Sequence, residues 1–149
     1  MTDLYLDDFK VGDRFTTASK TVTQDMIVEF AKVYDPQPFH IDPVAAKRTH
    51  FGGLIASGFQ TLALGFRLVY DTGIFSAASM GSPGFDELRW LKPVRPGDTL
   101  RVELEVTESR PSQSKPDRGI MRAIYRILNQ HGDAVLTFHS MHLLKRRPA

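Results

Sequence analysis

Gly58-Phe59-Gln60-Thr61-Leu62-Ala63-Leu64-Gly65-Phe66-Arg67-Leu68-Val69-Tyr70 is the stretch on which the fold turns. No proline interrupts it, and Ser57 stands before it as a residue able to cap a helix start. Phe59, Leu62, Ala63, Leu64, Phe66, Leu68 and Val69 leave no polar side wide enough for a surface helix, so the segment is expected to be enclosed by other elements.

What encloses it comes mostly later in the chain. Leu100, Val102, Leu104 and Val106 alternate with Arg101, Glu103, Glu105 and Thr107, the pattern of a strand with one wet face, and Arg95-Pro96-Gly97-Asp98 is the turn before it. Residues 119 to 128 and 134 to 144 read as two further strands joined around Asn129-Gln130-His131-Gly132-Asp133 as a hairpin. Residues 110 to 117, polar and punctuated by Pro111 and Pro116, read as a mobile loop. One apolar helix with consecutive antiparallel strands implies an α+β fold in which a sheet wraps the helix. Such a sheet leaves an edge strand that a second copy can cover, so a dimer is expected.

Upstream, residues 13 to 20 read as a short strand, and Thr23 caps a helix with Asp25 in its first turn. Ile27, Phe30, Ala31 and Tyr34 recur at helical spacing as one buried face. The helix stops at Asp35, because Pro36 disfavours the helical region for its predecessor. Asp35 then sits at the negative end of the helix dipole, which is expected to raise its basicity. Asp35-Pro36-Gln37-Pro38-Phe39-His40 places a carboxylate and an imidazole on one proline-stiffened loop. Asp42-Pro43-Val44-Ala45-Ala46-Lys47 supplies one or two helical turns, and Phe51-Gly52-Gly53 a connector to the long helix.

The pair Asp35 and His40 can hold and deprotonate one water. The free N–H groups at the start of the long helix can stabilise an oxyanion, and Gly58 allows an acyl oxygen to approach the backbone without meeting a Cβ. These parts suit addition of water to an acyl thioester.

Composition narrows the classes. The 149 residues fit a single domain with a core over about residues 7 to 145. A hydrophobic fraction of 42% with no apolar run of membrane-span length reads as a globular chain that does not cross a membrane. There is no cysteine, which removes disulfides, thiolate nucleophiles and cysteine-ligated metals together. A net charge of only +2, with Lys145-Arg146-Arg147 as the one basic run, reads as a solvated tail at 145 to 149 and not as a nucleic-acid surface. The acidic start Met1-Thr2-Asp3-Leu4-Tyr5-Leu6-Asp7-Asp8 lacks the regions of a signal peptide, and the expected location is the cytoplasm. His139 and His142 fall on opposite faces of their strand, so no metal site is expected from them. His50 reads as an exposed loop residue, Asp86, Glu87 and Arg89 as a surface charge cluster, and Phe39, Phe85 and Trp90 as core aromatics that could line an acyl tunnel.

The chain resembles the MaoC-like dehydratases, hot-dog-fold proteins that include the (R)-specific enoyl-CoA hydratases. Their hydratase motif, Asp-x-Asn-Pro-x-His, is matched in register by Asp35, Pro38 and His40, with Gln37 in place of the Asn. Gly53 to Gly58 resembles the approach to the family's central helix, and Pro93-Val94-Arg95-Pro96-Gly97-Asp98-Thr99-Leu100 its strand-turn-strand signature. The likeness runs from about residue 7 to 145, and the serine that some (R)-specific hydratases carry on the central helix is not found around Phe66.

The resemblance implies a hot-dog fold and reversible hydration of a trans-2-enoyl-CoA to a 3-hydroxyacyl-CoA. Asp35 and His40 would bind the water, the Gly58 N–H would hold the thioester oxygen, Ser57 would cap the helix, and Gln37 and Phe39 would line the substrate site. The thioester, on CoA or a carrier protein, is substrate, and no cofactor or metal is implied. A homodimer or a higher oligomer is implied, with the cleft near the subunit boundary. Thioester hydrolysis on the same fold and non-catalytic acyl-thioester binding are the rival readings, and the sequence does not choose a direction.

Overall fold

The structure is a computed structural model that describes residues 3–149, so Met1 and Thr2 of the acidic N-terminal stretch lie outside the described residues. After a 3-10 turn at Leu6–Asp8 come β1 (Arg14–Thr16), β2 (Lys20–Thr21), α1 (Gln24–Tyr34), α2 (Pro38–Ile41), α3 (Pro43–Lys47) and α4 (Gly58–Asp71). The strands β3 (Gly84–Trp90), β4 (Thr99–Pro111), β5 (Arg118–Leu128) and β6 (Ala134–Lys145) complete the chain.

The strands form one antiparallel sheet in the order β1-β4-β5-β6-β3, with β2 also on β4. The single strand expected over 13 to 20 is broken in two. At the break Thr17 bonds Val102 twice, its N–H to the Val102 carbonyl at 3.0 Å and its Oγ1 accepting the Val102 N–H at 2.9 Å. The loop expected from residue 110 begins later, because the ladder pairs Arg110 with Ile120 and Pro111 with Gly119. Proline is tolerated there at the end of a strand.

Leu100, Val102, Leu104 and Val106 face inward as their alternation requires, beside Met121, Ala123, Tyr125 and Ile127 of β5 and Leu136 and Phe138 of β6. Helix α4 lies on this concave face. Gly65 makes the close approach possible: a Cβ there would overlap the Ile127 side chain and stand 3.7 Å from Val102 Cγ2.

Two helical expectations change. Only Gln60, Thr61, Gly65, Leu68 and Val69 of α4 are buried, whereas Phe59, Phe66 and Tyr70 are 60%, 48% and 50% exposed. One layer of sheet covers one side of a helix, so the outer apolar side has no cover within the chain. On α1, Ile27 and Ala31 are buried but Phe30 is only half-buried and Tyr34 is exposed, its ring 5.0 Å from that of Phe30. The buried stripe of α1 is narrower than the apolar one because α1 packs mainly on α2 and the start of α4. Among the described residues no helix is long and apolar enough to cross a membrane.

Candidate active site

The end of α1 delivers the first functional group. Thr23 caps its start, accepting the Met26 N–H at 3.2 Å, and Asp35 ends it with φ −154° and ψ 71°. Where a loop was expected, Pro38–Ile41 forms the one-turn helix α2, with Pro38 in its first turn and His40 within it. Proline suits that position because its fixed φ is helical and its missing N–H would have had no partner. The Ile55 N–H bonds the Phe39 carbonyl at 3.0 Å and fixes α2 to the segment leading into α4.

His40 is 4% exposed. Its Nδ1 stands 2.7 Å from the Ile55 carbonyl, an acceptor only, so Nδ1 carries a proton and donates it. Nε2 is thereby turned toward Asp35, 3.2 Å from Oδ2. The Asp35 carboxylate is held from both sides: Gln37 Nε2 donates to Oδ1 and the Ser57 hydroxyl to Oδ2, each at 2.7 Å. Ser57 Oγ in turn accepts the Phe59 N–H at 3.3 Å. The positive end of α4 is thus relayed through Ser57 to Asp35.

These contacts reverse the expectation that Asp35 would be more basic than usual. Burial alone would raise its pKa, but the hydrogen bonds from Gln37 and Ser57 and the charge of His40 outweigh it and hold the carboxyl below its ordinary range. Two side-chain donors in direct contact with the carboxylate, Gln37 first and Ser57 second, thus prevail over the unfavourable end of α1.

Asp35, Gln37, Phe39, His40, Gly58 and Trp90 line one cavity of about 460 Å³. Ser57, expected near the substrate, is wholly buried behind Asp35, where it caps α4 and holds one carboxylate oxygen. Among the described residues none accepts a hydrogen bond from the Gly58 N–H, as the first turn of a helix requires. The space that glycine opens is taken by this chain's own Trp90: a Cβ on Gly58 would overlap the indole. Substitution there therefore disturbs packing as well as the site, a change from the reading of Gly58 as clearance for substrate alone. His50 does not line this cavity, and Phe85 lines a different one. Thr61 and Lys92, which sequence reasoning passed over, do line it. Thr61 follows Gly58 by three residues and so shares its side of α4, a spacing that could have marked it. Among the described residues no three His, Asp or Glu side chains gather as metal ligands, and His139 is exposed while His142 is buried on the opposite face of β6.

A MaoC like domain model matches residues 8–123. A crystal structure of a MaoC-like dehydratase from Rhodospirillum rubrum superposes with a TM-score of 0.90 at 42% identity, covering 98% of this chain and 99% of that one. The R-hydratase PhaJ1 from Pseudomonas aeruginosa superposes at 0.80 with 27% identity, over 97% of this chain and 88% of that one. The uncharacterized protein YdeM of Bacillus subtilis is 34% identical over 141 residues, 95% of this chain and 99% of that protein. The chain belongs to the MaoC-like dehydratase family and has its hot-dog fold. Hydratases and dehydratases are named among its relatives.

Proposed function

We propose that this protein adds water reversibly to a trans-2-enoyl-CoA, giving a 3-hydroxyacyl-CoA. The observation that carries this reading is the Asp35–His40 pair, 3.2 Å apart at the wall of a largely apolar cavity that also holds the Gly58 amide. With His40 uncharged and its one ring proton on Nδ1, a water donating to Asp35 Oδ2 and His40 Nε2 has both protons directed away from its attacking lone pair. As its oxygen bonds the β-carbon, one proton passes to the pair, and the α-carbon takes a proton in return. The charge that builds on the thioester oxygen falls to the Gly58 N–H at the start of α4. Run backward, the same steps dehydrate a 3-hydroxyacyl thioester, and no cofactor is needed in either direction.

The decisive measurement is loss of the conjugated double bond of crotonyl-CoA on mixing with the protein. A thioesterase would instead release free thiol from a saturated acyl-CoA, and a binding module would do neither.

The working unit in this reading is a homodimer. Phe59, Phe66 and Tyr70 of α4 are exposed beside Phe85 at 47% and Trp90 at 50% on β3. β3 is also an end strand of the sheet, exposed along nearly its whole length. A second copy would cover both at once and bring the cleft near the boundary. A monomer in sedimentation at micromolar concentration would refute this.

A further inference from the structure

A second cavity, of about 280 Å³, lies between one flank of α4 and the strands β3, β5 and β6. Its walls include Leu62 and Phe66 of α4, Phe85 of β3 and Phe138 of β6, and Phe59 borders both this cavity and the catalytic one. Amid this apolar lining stand Tyr125, Ser140 and His142, which are 1%, 2% and 6% exposed. Polar groups in such surroundings cost roughly 1–3 kcal/mol each when unpaired, so their presence asks for a partner.

The pairing within the cluster is incomplete. Tyr125 Oη lies 2.9 Å from His142 Nε2. Burial lowers the His142 pKa to about 4 and raises that of Tyr125, so near neutral pH both are uncharged, and the phenol, the stronger donor, gives its proton to the imidazole nitrogen, the stronger acceptor. The imidazole proton then resides on Nδ1. Among the described residues neither Nδ1 nor the Ser140 hydroxyl has a hydrogen-bonding partner, and neither atom is sealed from open space, the sole wholly buried orphan being Gln60 Oε1. Two donors therefore open onto the cavity. No lysine or arginine lines it, which disfavours a carboxylate and suits an uncharged oxygen.

Its distance from the catalytic groups is set by α4. Leu62 and Phe66 follow Gly58 by four and eight residues, about 6 and 12 Å along a helix axis. With the thioester carbonyl at Gly58, an extended acyl chain advancing about 1.25 Å per bond covers that span in about five to ten bonds.

We infer that this cavity receives the far end of the acyl group and that Ser140 and the His142 Nδ1–H select acyl chains carrying an uncharged hydrogen-bond acceptor, a ketone or hydroxyl oxygen, about five to ten bonds beyond the thioester carbonyl. The inference deepens the hydratase reading and rests on it for the placement of the thioester. Ser140 and His142 are specificity residues here, remote from the reacting bond.

The test compares octanoyl-CoA with 7-oxooctanoyl-CoA, two saturated thioesters that cannot be hydrated, by titration calorimetry on the full chain. The wild type should bind the oxo ester about threefold to tenfold more tightly, the worth of about one neutral hydrogen bond. Ser140→Ala with His142→Phe should bring the ratio to near one. Because the readout is a ratio on one protein, a variant that is merely loosened changes both affinities together. Equal binding by the wild type, or a preference that survives both substitutions, overturns the inference. Crotonyl-CoA, too short to reach the cavity, separates this result from the function itself. If it is hydrated while the wild type binds the two esters equally, the inference falls and the hydratase stands. If it is inert while the preference and its loss are both seen, the compartment stands and the hydratase falls.

Discussion

His40 and His142 are buried to nearly the same degree, 4% and 6% exposed, and each is fixed by one short hydrogen bond, yet they are built for opposite purposes. His40 faces a carboxylate whose two oxygens are already held by Gln37 and Ser57. His142 faces a phenol and stacks on Phe75 at 4.4 Å, with no charge in contact. A charge partner makes proton transfer feasible in a dry place, while a neutral partner makes it costly. Burial alone therefore says nothing about which histidine is placed to exchange a proton, and the neighbouring oxygen decides.

The largest effects should come from the charged pair. Asp35→Asn and His40→Ala should each lower hydration of crotonyl-CoA by about a hundredfold to ten-thousandfold with the fold intact by circular dichroism. The double variant should be little worse than the worse single one, since in the proposed mechanism both residues act on one water. Full activity in either single variant would erase the contrast with His142.

At the neutral histidine the expected effect is on stability. With a folded pKa of about 4 against an ordinary value of 6.5, the unfolded chain takes up this proton first as pH falls. The contribution is therefore complete above about pH 6.5 and lost toward pH 4, amounting to roughly 3 kcal/mol. Denaturant unfolding at pH 7 and pH 4 should show a smaller difference in His142→Phe than in the wild type, and equal differences would remove the neutral assignment.

Ser57→Ala sharpens the comparison more gently. It removes one hydrogen bond from the Asp35 carboxylate, a charge-assisted contact worth about 1.5–3 kcal/mol. The carboxyl pKa should rise, so the acidic limb of the kcat/KM profile should move to higher pH in the variant. An unmoved limb would show that Ser57 serves only as a helix cap. The smallest change is expected from Gln37→Asn, the residue of the related motif, which should recover the bond to Asp35 in part and cost less than Ser57→Ala. An activity loss larger than that of Ser57→Ala would mean that Gln37 touches substrate.

Much of the frame was legible before any coordinates. The cap at Thr23, the stop at Asp35 before Pro36, the helical turns between Asp42 and Lys47 and the alternation from Leu100 to Val106 all appear where the chain's local chemistry puts them. The pair Asp35 and His40 was legible from its spacing, and the structure brings the two side chains within 3.2 Å. What misled was the inference from apolar composition to enclosure: Tyr34, Phe59, Phe66 and Tyr70 are apolar and exposed. Composition reports that a side chain favours burial, not whether this chain supplies the cover.

The sequence by itself determined the elements and their ends, because prolines, capping side chains and periodicity act between residues a few positions apart. Only the tertiary structure decided the state of the carboxylate in full, since beside the nearby Gln37 it adds Ser57 from 22 positions away and sets burial against their combined pull, and the expected rise in pKa becomes a fall. The same holds for the polar group at Tyr125 and His142, 17 positions apart and brought together by the pairing of β5 with β6. Electrostatic and hydrogen-bond energies depend on separation in space, and the fold sets that separation without regard to distance along the chain.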